Sequence, residues 1–285
     1  MSTAESTSST VTSETSETPW LNQVIANTRG TLATLVRLPR RAVLWPSTGR
    51  MALAVAGASI VVLAVIVTVD AWAIAQVPRL WARLVDALNR FTHLGLAGFF
   101  LWPLGLTLIA LALLDTSPIP RISRLVLAAW AVRLGFIFTA IAVPGLFVTI
   151  IKRLIGRARP LVEGNDAMAF APFGWEVDYA SLPSGHATTA FAALVAIGSI
   201  FPQMRAPLWI YAVLIALSRV AVDAHYPSDV IAGALVGAAG AWLVRQWFAA
   251  RGLGFAITGS GAVWPMPGPS IRRIVKALAR RMHAG

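Results

Sequence analysis

The sequence predicts an all-α fold: a bundle of six transmembrane helices with catalytic residues at the outer, periplasmic end. Three observations predict it. The 285-residue chain is 57% hydrophobic and only 13% charged, with a mean hydropathy of +0.70. A soluble domain carries roughly 25% charged residues, so a bilayer is the natural solvent for this composition. Apolar runs recur along the chain at about the length that crosses a membrane. Lys and Arg gather in alternate connecting segments, as short cytoplasmic loops require.

The N-terminal stretch, 1–28, is rich in Ser, Thr and Glu and is expected to be disordered, because it offers little apolar surface to bury. A basic juxtamembrane segment, 29–50, follows. The membrane domain is expected over 51–249. Its first span runs from Met51 to Val69 and ends at Asp70. The second covers about Leu94 to Leu114, ended by Asp115. The third runs from about Leu125 to Ile151, with Arg133 snorkelling toward the nearer interface. The fourth, Ala187 to Phe201, and the fifth, Leu208 to Val222, are short and need flanking residues to complete them. The sixth is Val230 to Trp247, where Gly233 and Gly237 permit close helix packing. A basic tail, 250–285, closes the chain.

Two amphipathic stretches flank the spans. Leu80, Trp81, Leu84, Val85 and Leu88 fall at helical spacing and read as an interfacial helix. Ile271, Ile274, Val275 and Leu278, after a capping Ser270, read as a second one on the inner leaflet.

The basic residues orient the bundle. Those before the first span, those at 121–124, Arg205 and those after the sixth all fall on one side, which is expected to be cytoplasmic together with both termini. The loops 70–93, 152–186 and 223–229 then share the outer face. The Arg- and Ala-rich composition suits a bacterial inner membrane. The formal charge of +12 is therefore assigned to topology and anionic lipid, with no nucleic-acid partner. The chain has no cysteine, which excludes disulfides, thiolate metal sites and a cysteine nucleophile.

Three short segments carry the chemistry: Lys152 to Pro160, Pro183 to His186, and Ser218 to Asp229. Lys152, Arg159 and Arg219 sit at span ends on the outer face and can neutralise a phosphate, Arg by a two-pronged fork and Lys as a point charge. Ser184 and Gly185 precede the fourth span, where a hydroxyl and free helix N–H groups suit an anion. Arg153 and Arg157 read as ordinary helix-end anchors. Asp229 follows His225 by four residues, so on a helix they share a face. The carboxylate can then fix the imidazole tautomer and support its cation, as a nucleophile or base needs. His186 is free to be the matching acid. His93 and His283 lack polar company and read as interfacial. The two histidines and Asp229 could ligate zinc, but three nearby cations would repel a divalent ion. Phe170, Phe173, Trp175 and Tyr179 could contact a lipid or anchor their loop.

The segments resemble the three signature motifs of the type 2 phosphatidic acid phosphatase (PAP2) superfamily, over residues 51–249. The pattern is Lys, six residues, Arg-Pro; Pro-Ser-Gly-His; then Ser-Arg, five residues, His, three residues, Asp. All eleven defined positions are present in order. The resemblance implies that His225 is the nucleophile, Asp229 its orienting partner and His186 the general acid. Lys152, Arg159, Ser184, Gly185 and Arg219 would form the phosphate cradle. It implies hydrolysis of a lipid phosphate or lipid diphosphate through a phosphohistidine, with no metal and no cofactor. Soluble vanadate-dependent haloperoxidases share the motifs, but the hydropathy argues against that branch. A phosphotransferase would use the same residues. A transporter or binding protein would need no nucleophile.

Overall fold

A computed structural model describes residues 19–40, 45–114 and 120–268. Helices dominate: α1 (Pro19–Leu35), α2 (Thr48–Val65), α3 (Ala71–Gln76), α4 (Ala82–Thr92), α5 (Ala97–Leu113), α6 (Arg121–Ile155), α7 (Gly185–Ile200), α8 (Arg205–Ala221) and α9 (Pro227–Ala250). Five helical stretches among the described residues are long and apolar enough to cross a membrane. They are Thr48–Arg79, Ala82–Leu113, Arg121–Ile155, Pro202–Ala221 and Pro227–Ala250. The helix expected as the fourth span, α7, has 16 residues and falls short of that length.

The short helix is the central one. α7 is rich in Ala, and its Ala187, Ala190, Ala192, Ala193 and Ala196 are buried. Such small side chains let α6, α8 and α9 pack around it. One core joins Phe136, Ile137 and Ile141 of α6, Ala192 and Ala196 of α7, and Val244 and Phe248 of α9. By contrast, α2 and α5 bury none of their residues in the protein, as expected of helices whose apolar sides face lipid.

Two glycines set the closeness of α7 and α9. A methyl group added at Gly233 would lie 2.4 Å from the Ser184 carbonyl oxygen, and one at Gly237 would lie 2.3 Å from that of Thr188. Gly233→Ala must push α9 off the N-terminus of α7, at a cost of about 1–3 kcal/mol. We expect a lowered thermal midpoint and reduced turnover in purified protein. Gly57→Ala, where an added methyl meets nothing within 4 Å, is the control and should leave both unchanged.

Three features depart from the sequence reading. The apolar run that was expected to end at Asp70 continues as helix: a π-helical turn, Ile66–Asp70, joins α2 to α3. Its wider winding turns Asp70 inward, where the carboxylate is fully buried. Part of the segment expected to be disordered, from Pro19 onward, is helical in α1. There Asn27 donates to the Ala112 carbonyl at 2.7 Å, so contact with α5 supplies what the segment's own composition does not. The basic tail opens with a two-stranded hairpin, β1 (Phe255–Ile257) and β2 (Val263–Pro265), in a chain expected to be all-α. The hairpin buries Phe255 and Ile257 in the main core, and Arg133 and Arg245 donate to its carbonyls at Met266 and Val263. Arg133 is thus held by protein rather than snorkelling to lipid. The amphipathic stretch is helical from Ala82 to Thr92 in α4, with Leu80 and Trp81 extended before it. The stretch after Ser270, the tail before Pro19, Asp115 and His283 lie outside the described residues.

Candidate active site

Helix ends bring the three segments together. α6 ends at Ile155, α7 begins at Gly185, α8 ends at Ala221 and α9 begins at Pro227. Alternating helix direction therefore puts Lys152, His186, Arg219 and Asp229 at one end of the bundle. Gly156 stops α6 in a left-handed conformation, with φ of +63°. A Cβ there would fall 1.8 Å from the Ala171 carbonyl oxygen, so only glycine allows the chain to turn this tightly.

His225 and Asp229 occur in one buried cluster. The His225 Nδ1 lies 3.7 Å from Asp229 Oδ2, a charge contact longer than a hydrogen bond. Ser181 fills the gap. Its hydroxyl donates to Asp229 Oδ2 at 2.6 Å and lies 3.4 Å from His225 Nδ1. The Tyr226 amide also donates to Asp229 Oδ2, at 2.9 Å, and the Ser184 amide donates to the Asp229 carbonyl at 2.9 Å. With Nδ1 turned to this carboxylate, Nε2 is the ring nitrogen left for chemistry. Burial lowers the His225 imidazole from its usual value; the Asp229 carboxylate opposes that, while Arg159 and Arg219 reinforce it. The ring is thus biased toward the neutral, nucleophilic form.

Two of the cations expected to bind phosphate, Arg159 and Arg219, lie near this pair, and Lys152 lies near Arg159. Arg159 and Arg219 both act electrostatically on His225 and on His186, and Lys152 lies within electrostatic reach of Arg159. Arg159 donates from Nε to the Val177 carbonyl at 3.1 Å. Arg219 donates from Nη1 to the Thr92 hydroxyl at 2.9 Å, so α4 helps aim it. Among the described residues, Ser184 Oγ and Arg219 Nε are buried with no hydrogen-bond partner, as are Asp223 Oδ1 and Tyr226 Oη in the neighbouring connection. Unpaired buried polar groups are costly and call for an explanation such as a ligand. Gly185, at the start of α7, faces open space on its Cβ side.

His186 packs against Gly95, where an added methyl would lie 3.1 Å from its Cδ2. His93, expected to be interfacial and without polar company, is within electrostatic reach of His186.

Arg157 is a correction to the sequence reading. Expected to be a helix-end anchor, it is fully buried and donates to Asp70 at 2.7 Å and to Asp229 at 2.6 Å. An arginine so near the Arg-Pro of its motif reads as one more juxtamembrane cation. Only the fold reveals its two carboxylates, one of them 87 residues away. Asp70 was legible as a charge inside an apolar run, which favours function, but it also fits a span end. Ser181 and Thr92 carried no comparable signal. Arg153 does anchor, donating to the Trp175 and Glu176 carbonyls.

Residues 130–253 match the PAP2 superfamily. That stretch holds all three segments and every helix that meets at the cluster except those of the N-terminal part. Over that stretch the chain is similar to the PAP2 superfamily. It is 40% identical over 133 residues to a lipid A 1-phosphatase of Rhizobium johnstonii, covering 46% of this chain and 54% of the relative. It is 38% identical over 131 residues to a decaprenylphosphoryl-5-phosphoribose phosphatase of Mycobacterium tuberculosis, covering 46% and 65% respectively. The chain thus spans about half the length of the first relative and under two thirds of the second. Among solved structures, LpxE of Aquifex aeolicus aligns over 62% of this chain and 94% of its own, with 23% identity and a TM-score of 0.45. The matched stretch contains His225 and Asp229 together with Arg159 and Arg219, which act electrostatically on His225, and also Ser181 and Arg157, which contact Asp229.

The aromatic residues of the loop between the first two motifs divide. Phe173 and Trp175 are 72% and 81% exposed. Tyr179 donates to Glu163, and Phe170 lies with its ring 6.0 Å from the Arg157 guanidinium. The first pair is available to lipid; the second holds the loop together.

Proposed function

We propose that this protein is a PAP2-type membrane phosphatase that hydrolyses a lipid phosphate or lipid diphosphate through a phosphohistidine at His225. The observation that carries the reading is the pairing of a buried His225–Asp229 nucleophile with two unpartnered donors, Ser184 Oγ and Arg219 Nε, among three cations. Binding alone would need the donors and cations. It would not need an imidazole held by a carboxylate.

The steps follow from the geometry. Lys152, Arg159, Arg219, Ser184 and the first N–H groups of α7 at Gly185 hold the phosphoryl oxygens. Their charge is fixed before reaction, so it stabilises the transition state without reorganisation. Nε2 of His225 attacks phosphorus in line, and the bond from phosphorus to the leaving oxygen breaks. Asp229 supports the positive charge that His225 acquires. His186 gives its proton to the leaving oxygen, and the incoming phosphate shields it from the surrounding cations. Water then attacks the phosphohistidine, His186 takes the water proton, and inorganic phosphate leaves.

The lipid character of the substrate rests on the exposed apolar loop at the site's end, including Leu161, Met168, Phe173 and Trp175, and on the activities for which the two relatives are named. We place the site on the outer face of a bacterial inner membrane, opposite the basic loops at 121–124 and 205. The sixth crossing is α7 with its flanking residues, and both termini are cytoplasmic.

Purified full-length protein, given phosphatidic acid, a polyprenyl diphosphate and lipid A in mixed micelles with excess chelator, should release inorganic phosphate from at least one. Because burial depresses His225 in the free protein, the acid limb of kcat/KM should fall below pH 6.5, the ordinary histidine value. The sign follows from the role: the nucleophile must be unprotonated, and a lowered value keeps it so in more acidic solution. Transfer of label to a second lipid without free phosphate would establish a phosphotransferase instead. Tight binding with no turnover of any lipid would overturn the enzyme reading.

A further inference from the structure

We infer that Asp70, on the first membrane-crossing stretch, is a positioning residue that acts on His225 through Arg157 and Asp229. The inference rests on the phosphatase reading of the same site. Its basis is a chain of buried contacts. Arg157 Nη2 donates to Asp70 Oδ2 at 2.7 Å, and Nη1 donates to Asp229 Oδ1 at 2.6 Å and to Ser228 Oγ at 2.7 Å. The remaining donors go to the Ala167 carbonyl, Nε at 3.1 Å and Nη2 at 2.8 Å. Asp70 in turn accepts from the Ser228 amide at 3.0 Å and from the Ser228 hydroxyl. The side chains of Arg157, Asp70 and Asp229 are all 0% exposed.

Charge counting gives this chain its meaning. Arg157 and Asp229 alone would make a neutral buried pair, sufficient for structure. A second buried carboxylate adds a desolvation cost and leaves one surplus negative charge. Arg157, shared with Asp70, withdraws less charge from Asp229, whose second oxygen faces His225. The other ionisable groups around His225 are Arg159 from the first-motif loop, Arg219 from α8 and His186 from α7. All are cationic or able to become so. Asp229, backed by Asp70, is therefore the counter-charge for the positive ring that forms when Nε2 bonds to phosphorus. The π-helical turn that directs Asp70 inward, and the N-terminus of α9 beside both carboxylates, fit that electrostatic task.

The test uses Asp70→Asn in the full-length protein, an isosteric change that keeps an acceptor for Ser228. We expect kcat to fall about tenfold to a hundredfold with KM within about twofold. Loss of negative charge also makes His225 harder to protonate, so the acid limb should move to lower pH. By histidine nitrogen NMR, the His225 titration should move the same way, a readout independent of turnover. Combined with Asp229→Asn, the change should add little, since both act on one ring. If Asp70→Asn unfolds, Arg157→Lys keeps the cation but cannot span both carboxylates, and the same loss confined to kcat is expected. Wild-type kcat and wild-type His225 titration in a folded variant would overturn the inference, as would losses that multiply with Asp229→Asn. Absence of turnover in the wild type would count against the phosphatase reading, while the NMR titration would still decide the link from Asp70 to His225.

Discussion

His225→Ala will reduce phosphate release by at least about a thousandfold while the protein still inserts in membranes and elutes as wild type in detergent. The magnitude is that of removing a nucleophile whose neighbours still bind the substrate. The specificity follows from packing. His225 sits in the short connection between α8 and α9, and its ring contacts the polar cluster of Ser181 and Asp229. The apolar core lies deeper, along α6, α7 and α9. Substrate affinity should change little, because the proposed cradle of Lys152, Arg159, Arg219 and Ser184 stays intact. Retention of even a tenth of wild-type turnover would place the nucleophile elsewhere.

Asp229→Asn should lower kcat by about a hundredfold to ten-thousandfold, by analogy with a carboxylate that holds a catalytic histidine. Two effects combine. The amide presents an N–H where Ser181 and Tyr226, or Arg157, donate to oxygen, so at least one contact is lost. The charge that balances cationic His225 is also lost. The variant should be less stable than His225→Ala, because Arg157 would retain only Asp70 as a charged partner in a fully buried setting. Steady-state kinetics with thermal unfolding of both variants will show this, and a reversed order of stability would contradict the charge argument.

Much of the site was legible in sequence, and the reason is local. Lys152 and Arg159 lie within one helix end and its turn. Ser184, Gly185 and His186 are consecutive, and His225 and Asp229 are four residues apart. Spacing alone reports such groups. Asp70, Ser181 and Thr92 reach the cluster across the fold: Thr92 meets Arg219 from 127 positions away, and Ser181 meets Asp229 from 48. A serine or threonine in an apolar chain gives no warning of such a partner. Arg157 was misread because charge near a span end has a commoner use than a buried bridge.

The fold shows the same division. Apolar runs located the long helices, whose composition speaks directly of lipid. They also located α7, expected to be short, whose Ala-rich sequence reports burial in protein rather than lipid. Strand pattern in the hairpin was too short to register beside the basic tail: three residues in each strand, separated by the turn around Gly261, whose φ is +78°.

The central claim is that His225 forms a bond to phosphorus. Rapid quenching of wild-type protein with a lipid phosphate labelled in its terminal phosphoryl group, followed by peptide mapping, tests it directly. The account predicts label on the peptide containing His225, lost in acid and retained in alkali as a phosphoramidate must be, and absent in His225→Ala. Label on any other residue, or none during full turnover when the second step is slowed by cold, would contradict it.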